Sequence, residues 1–171
     1  PNFKFPEKWE HARFHQAAVL DGADAIAGIC FDGIRDNYFR DAVGALMRGG
    51  TDRGMKFGNN DPRRMKVYEL DVNEFERIAD AVDEMKSKGV VLCLFVTRNK
   101  RPDIHNTMKL WEQRTSIIFQ HFSQETMGKL SNTQMRRNVC VENVLLKMNL
   151  KLAGINFSLA PPKELPPDMS Q

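Results

Sequence analysis

A Rossmann-like α/β fold, a single domain with a mainly parallel central sheet flanked by helices, is predicted by three features of this chain. Short apolar runs alternate with stretches of helical period, the pattern that builds a parallel sheet layered with helices. The strongest run, Val90-Val91-Leu92-Cys93-Leu94-Phe95-Val96, contains no polar residue. A central parallel strand buried on both faces has this composition. Turn and stop signals, Asp32-Gly33, Gly49-Gly50 and Gly89, punctuate the runs.

Residues 1–20 are polar and spotted with aromatics (Phe3, Phe5, Trp9, Phe14) and read as an extended lead-in. Ala25–Phe31 is the first strand. From Asp36 to Met47 the residues Tyr38, Phe39, Ala42, Val43, Leu46 and Met47 follow helical spacing, and Gly49-Gly50 should close that helix. Met55-Lys56-Phe57 reads as a short strand, Gly58 to Arg64 as a loop, and Met65 to Leu70 as a second strand. Asn73 with Glu76 three residues on forms a capping-box pattern. The helix it opens carries Phe75, Ile78, Ala79, Val82 and Met85 on one face. After Val90–Val96 come a basic loop, a helix from about His105 to Arg114, a strand Ile117–Phe122, and one long helix from about Asn132 to Leu152. A tail with Pro161, Pro162, Pro166 and Pro167 follows. The expected organisation is a lead-in over 1–21, one domain over 22–157 and the Pro-rich tail over 158–171. The start at Pro1 reads as that of an excised fragment.

Composition narrows the function classes only a little. A length of 171 residues with 42% hydrophobic and 27% charged residues suits one ordinary globular domain. A net charge of +3 permits a nucleic-acid partner without arguing for one. The basic residues do cluster, however: Arg98, Lys100, Arg101, Lys109 and Arg114 in one stretch, then Lys129, Arg136, Arg137, Lys147 and Lys151. Cys30, Cys93 and Cys140 lie far apart, and the first two sit in apolar runs, so they read as buried thiols of a reducing compartment. No Cys or His spacing suggests a metal, and no GxGxxG, P-loop or nucleophile elbow suggests a cofactor or a covalent enzyme. No apolar run approaches the length of a membrane span.

The chemistry with most to say is an anion site. Lys147 and Lys151 lie at i,i+4, where like charges repel on one helix face by a few tenths of a kcal/mol unless an anion lies between them. Ligands of open α/β sheets bind beyond the carboxyl ends of the strands. Val90–Val96 delivers Thr97–Ile104 to that edge, followed by the helix start with His105 and Lys109, and the next strand delivers Gln120. Gln120 is the telling residue, because an amide in an apolar strand needs partners. Simpler readings stand beside this one: solvated lysines, His105 as a helix-start residue, His121 as structural, and Asp32 as a lone carboxylate.

The order from Val90 to Asn156 resembles the MID domain of eukaryotic Argonaute proteins. Lys147-Met148-Asn149-Leu150-Lys151-Leu152-Ala153-Gly154-Ile155-Asn156 fits that family's K-x-N-x-K-L-x-G-x-N pattern at every fixed position. His105 precedes Lys109 by four residues, where the family has a tyrosine, and Gln120 follows about a dozen residues later. The resemblance implies a module that binds the 5′-phosphorylated end of a small guide RNA. Lys109, Gln120, Lys147 and Lys151 would hold the phosphate, His105 would stack on the first base, and Arg98, Asn99, Lys100, Arg101 and Pro102 would form the base-specificity loop. It implies no catalysis, since the family's slicer aspartates belong to an RNase H-like PIWI domain, the expected partner within the same parent chain. It also implies work in the cytoplasm, with the nucleus open. The histidine and the three-cation loop are departures that point to a divergent, nematode-type member. The alternative is a small α/β enzyme or binding protein for a phosphorylated metabolite, and a third reading is a protein-interaction domain with a solvated basic face.

Overall fold

The computed structural model describes residues 13–132 and 138–157. The first part of the lead-in and the Pro-rich tail lie outside those residues. The elements run β1 (Ile26–Phe31), α1 (Asp36–Asp52), β2 (Val67–Leu70), α2 (Phe75–Ser87), β3 (Leu92–Thr97), α3 (Pro102–Thr115), β4 (Ile118–Ser123), α4 (Gln124–Leu130) and α5 (Val139–Lys151). The four strands form one sheet in the order β2-β1-β3-β4, and every pairing is parallel. The central strands β1 and β3 are buried along their whole length, as their apolar sequences require.

Each face of the sheet carries its own core. Phe39, Val43, Leu46, Leu94, Val96, Phe122, Leu145 and Met148 pack on the face covered by α1, α4 and α5. Phe31, Val82, Met85, Phe95, Met108 and Phe119 pack on the face covered by α2 and α3. Alternation along β3 and β4 divides their side chains between the two cores. This division determines which helix each site residue meets.

Several local expectations are corrected. α1 does not stop at Gly49-Gly50 but continues to Asp52. The glycines thin the helix where it is crowded: a Cβ on Gly49 would lie 2.9 Å from a Val141 methyl, and one on Gly50 would lie 2.8 Å from the Phe57 ring. The capping box of Asn73 and Glu76 does not form. Glu74 occupies the N-cap of α2 and its carboxylate accepts from the Asp71 N–H at 2.9 Å, while Asp71 accepts from the Asn73 N–H at 2.8 Å. Met55–Phe57 contributes only a single bridge, Val19 with Lys56, in place of a strand. The long helix expected from about Asn132 begins later, at Val139, and a separate short helix, α4, precedes it. α4 is capped by the Ser123 hydroxyl and α5 by the Asn138 side chain, which accepts from the Cys140 and Val141 N–H groups. Residues 133–137 between them lie outside the described residues.

The described part of the lead-in belongs to the core. Phe14, Ala18 and Leu20 are buried, and Gln16 pairs antiparallel with Ile155. Asn149, fully buried, ties this segment down. Its Oδ1 accepts from the Ala18 N–H at 2.8 Å, and its Nδ2 donates to the Gln16 carbonyl at 3.1 Å and to Asn156 Oδ1 at 2.9 Å. Asn156 in turn donates to the Leu146 carbonyl at 3.0 Å. Gly154 leaves the room: a Cβ there would lie 2.3 Å from Asn149 Oδ1.

Removing this amide leaves buried donors and acceptors unpaired, each costing about 1–3 kcal/mol. Asn149→Ala is therefore expected to lower unfolding free energy by about 3 kcal/mol in a urea titration. A loss below about 1 kcal/mol would mean that the amide does not tie the lead-in to α5.

Candidate functional site

β4 is an edge strand, and its outward backbone groups have no neighbouring strand to pair with. Side chains from two helices take that place. The Phe119 N–H donates to Glu112 Oε2 of α3 at 2.8 Å, and the Phe119 carbonyl accepts from Lys151 Nζ of α5 at 2.7 Å. Glu112 also accepts from Lys109 Nζ at 3.1 Å. The next outward peptide along the strand is that of His121, whose carbonyl accepts from Gln120 Nε2 at 3.0 Å. α3 covers one face of the sheet and α5 the other, so Lys109 and Lys151 converge around the open edge from opposite sides.

A cavity of about 630 Å³ opens at this place. Lys100, Lys109, Lys147 and Lys151 line it together with His105, Gln120 and His121, and no carboxylate does so among the described residues. The i,i+4 spacing within each helix aligns His105 with Lys109 and Lys147 with Lys151. Desolvation, and then the nearby Lys109 charge, hold the half-buried Lys151 ammonium below the usual lysine range. Gln120 is 8% exposed, and its Oε1 has no partner. A buried amide oxygen left without a donor costs about 1–3 kcal/mol, an imperfection that native folds concentrate at functional places. One Nε2 hydrogen of Gln120 also remains uncommitted.

The five residues expected to hold phosphate and base, His105, Lys109, Gln120, Lys147 and Lys151, therefore line one cavity. The loop residues do not. Only Lys100 reaches it. Arg98 is held by Asp32, whose carboxylate accepts from the Arg98 N–H and whose carbonyl accepts from its guanidinium, both at 3.0 Å. Arg98 lines a separate cleft of about 410 Å³ with Ile34, Tyr38 and Met127. Arg101 is paired with Asp103 at 2.7 Å, and Asn99 spends its carbonyl on the Thr97 hydroxyl. Pro102 opens α3 three residues earlier than expected, so His105 stands a full turn inside the helix and the helix start does not line the cavity.

Sequence reasoning left His121 as structural, yet its ring lines the cavity. It stacks on Phe95 with centroids 4.6 Å apart and planes 1° apart, its Nε2 lies 2.8 Å from Thr97 Oγ1, and its centroid is 5.8 Å from that of His105. Burial, and then the His105 charge, push its pKa down to about 4. Its place beside Gln120 at the carboxyl end of the edge strand was the available signal. Glu112 also went unnoticed, because its role depends on the strand lying next to α3. Cys30 and Cys93 are free and buried, with the Cys30 thiol pushed up to about 12. Among the described residues no three metal-ligating side chains gather, and no helix is long and apolar enough to cross a membrane.

No protein-family model matches the chain. Its fold superposes on the crystal structure of the Arabidopsis thaliana AGO5 MID domain with a TM-score of 0.61 at 17% identity, covering 86% of this chain and 99% of that one. The chain has the fold of an Argonaute MID domain. The same MID fold matches the Neurospora crassa QDE-2 MID-PIWI structure (TM-score 0.61, 18% identity, 86% of this chain and 39% of that one). It also matches Clostridium butyricum Argonaute bound to a guide DNA and a target DNA (TM-score 0.65, 12% identity, 84% of this chain and 21% of that one). In sequence, the Nuclear RNAi defective-3 protein of Caenorhabditis elegans is 26% identical over 120 residues, 70% of this chain and 11% of that protein. The chain covers nearly all of the AGO5 MID domain and well under half of the MID-PIWI structure.

The depressed pKa of His121 gives the MID fold a definite acid response. A histidine whose folded pKa lies below its ordinary 6.5 contributes its full stability above pH 6.5 and loses it as pH falls towards 4. Melting temperatures of the wild type and His121→Phe, taken at pH 7 and pH 4.5, should show the larger acid-induced drop in the wild type. Equal drops would place the ring in water.

Proposed function

We propose that this domain binds the 5′-phosphorylated end of a small guide RNA, phosphate and first base together, in RNA silencing. The observation that carries the reading is the convergence of Lys109, Lys147 and Lys151 on the buried, incompletely paired Gln120, in a cavity without a lining carboxylate. Three ammonium groups and an amide N–H make a donor set for a terminal phosphate. Charge-assisted bonds contribute about 1.5–3 kcal/mol each. The ammonium of Lys151 has three N–H donors, so it can keep the Phe119 carbonyl and still serve an anion. Uncommitted positive charge beside a desolvated lysine is the environment that a dianion relieves.

His105, exposed at the mouth beside Lys100, is the proposed platform for the first base. Stacking on an aromatic ring contributes about 1–3 kcal/mol per base and tolerates any sequence. The guide DNA in the Clostridium butyricum Argonaute structure and the RNAi protein related in sequence support a guide strand over a free metabolite. A PIWI domain of the same parent chain is the proposed neighbour, as in the QDE-2 MID-PIWI structure. The name of the nematode relative favours the nucleus as a place of work beside the cytoplasm.

Titration of the isotope-labelled chain with nucleoside 5′-monophosphates should shift Lys109, Gln120, Lys147 and Lys151, and unphosphorylated nucleosides should not. Lys109→Ala and Lys151→Ala should each weaken binding about 10- to 100-fold, the range that one lost charge-assisted bond implies. Affinity should also fall at alkaline pH, beginning below the usual lysine range, because Lys151 must be protonated to bind and starts with a depressed pKa. Phosphate-independent binding, or an unchanged affinity in Lys109→Ala, would refute the reading. Turnover of the nucleotide would favour the metabolite enzyme.

A further inference from the structure

Proton bookkeeping at Thr97 fixes the state of His121. The Thr97 hydroxyl has a single hydrogen and donates it to the Asn99 carbonyl, which can only accept. Towards His121 Nε2, 2.8 Å away, the same oxygen can therefore only accept. It follows that His121 carries its proton on Nε2, and that Nδ1 bears a lone pair. Nδ1 has no hydrogen-bond partner among the described residues, and the half-buried ring lines the cavity. A half-turn of the ring would keep its parallel stack on Phe95 but would put a carbon in place of Nε2 and lose the Thr97 bond.

We infer that His121 is a specificity-determining acceptor, locked by Thr97 so that Nδ1 reads the ribose 2′-hydroxyl of the bound nucleotide and favours RNA over DNA. This rests on the guide-end reading above. A nucleotide with its phosphate at Gln120 and its base on His105 has its ribose between the two. His121 follows Gln120 in β4, and its ring lies 5.8 Å from that of His105. In a polynucleotide the 3′-oxygen is esterified, which leaves the 2′-hydroxyl as the donor that the sugar offers. A neutral ring is required for Nδ1 to accept, and burial holds His121 neutral at physiological pH. Through Asn99 the same hydroxyl also fixes the loop that carries Lys100, so Thr97 acts as the positioning residue for both walls of the cavity.

The test uses the 171-residue chain and two 5′-phosphorylated dinucleotides that differ only in a ribose or 2′-deoxyribose at the first position. One neutral hydrogen bond corresponds to an affinity ratio of about five- to tenfold in favour of ribose. His121→Phe, which keeps a ring to stack on Phe95 but has no acceptor, should bring that ratio to one. Nitrogen-15 spectra of the free protein should show His121 protonated on Nε2 and bare on Nδ1. Thr97→Val should mix the tautomers and lower the ratio, and Thr97→Ser should restore both. Binding of phosphorylated dinucleotides without a ribose preference would leave the guide-end reading standing and overturn the inference, as would a proton found on Nδ1 in the free protein. Absence of any phosphate-dependent binding would remove the guide-end reading and this inference with it.

Discussion

An edge strand has to do something with its outward peptide groups, and the way β4 does this organises the candidate site. The Phe119 N–H is taken by a carboxylate from α3 and the Phe119 carbonyl by an ammonium from α5. Both partners are charged, so these bonds are stronger than the ladder bonds they replace, and they blunt an edge that could otherwise recruit another chain. The same two side chains bring their helices to the strand from opposite faces. Lys151 is partly desolvated and brought close to Lys109, which together depress its pKa, because the edge needs a donor on one side and an acceptor on the other. A fifth strand at this place would close the cavity and leave both lysines to solvent.

The pattern K-x-N-x-K-L-x-G-x-N divides between two tasks in this fold. Lys147 and Lys151 line the cavity, while Asn149, Gly154 and Asn156 form a buried knot that binds the lead-in segment to the end of α5. The asparagines do not approach the ligand region, but they set the rotation and the ending of the helix that presents the lysines. Fold and site are therefore coupled through one turn of helix.

Legibility in the sequence followed the range of the forces involved. β1, β3 and the alternation of strands and helices were readable because burial on two faces demands unbroken apolar runs. Gln120 and the lysine pair were readable because each is costly where it stands unless a partner is supplied. The short helix α4 and the late start of α5 were not, since Ser123 and Asn138 act as caps only once the chain turns beneath them. Gly49-Gly50 looked like a stop because a glycine pair usually is one. Here the pressure of Val141 and Phe57 against α1 outweighs its low helix propensity. The resemblance to the Argonaute family implied roles for single residues, but not the partners that hold them. Arg98 and Arg101 fit the expected loop by charge and are held elsewhere by Asp32 and Asp103, partners visible only in three dimensions.

The cavity stores unfavourable electrostatics in several small parts. Gln120 has an amide oxygen without a donor, Lys151 is partly desolvated beside another cation, and Lys147 repeats the like charge one turn away. Glu112 offsets part of this by pairing with Lys109, yet its second oxygen is committed to the Phe119 N–H, so it cannot swing out to neutralise the rest. A mobile carboxylate would lower the energy of the free protein and compete with an incoming anion. A carboxylate pinned by the backbone keeps Lys109 in position and leaves the field of Lys147 and Lys151 unspent. Fixed donors that need little rearrangement bind an anion more tightly than flexible ones of the same number, because the cost of ordering them was met when the chain folded.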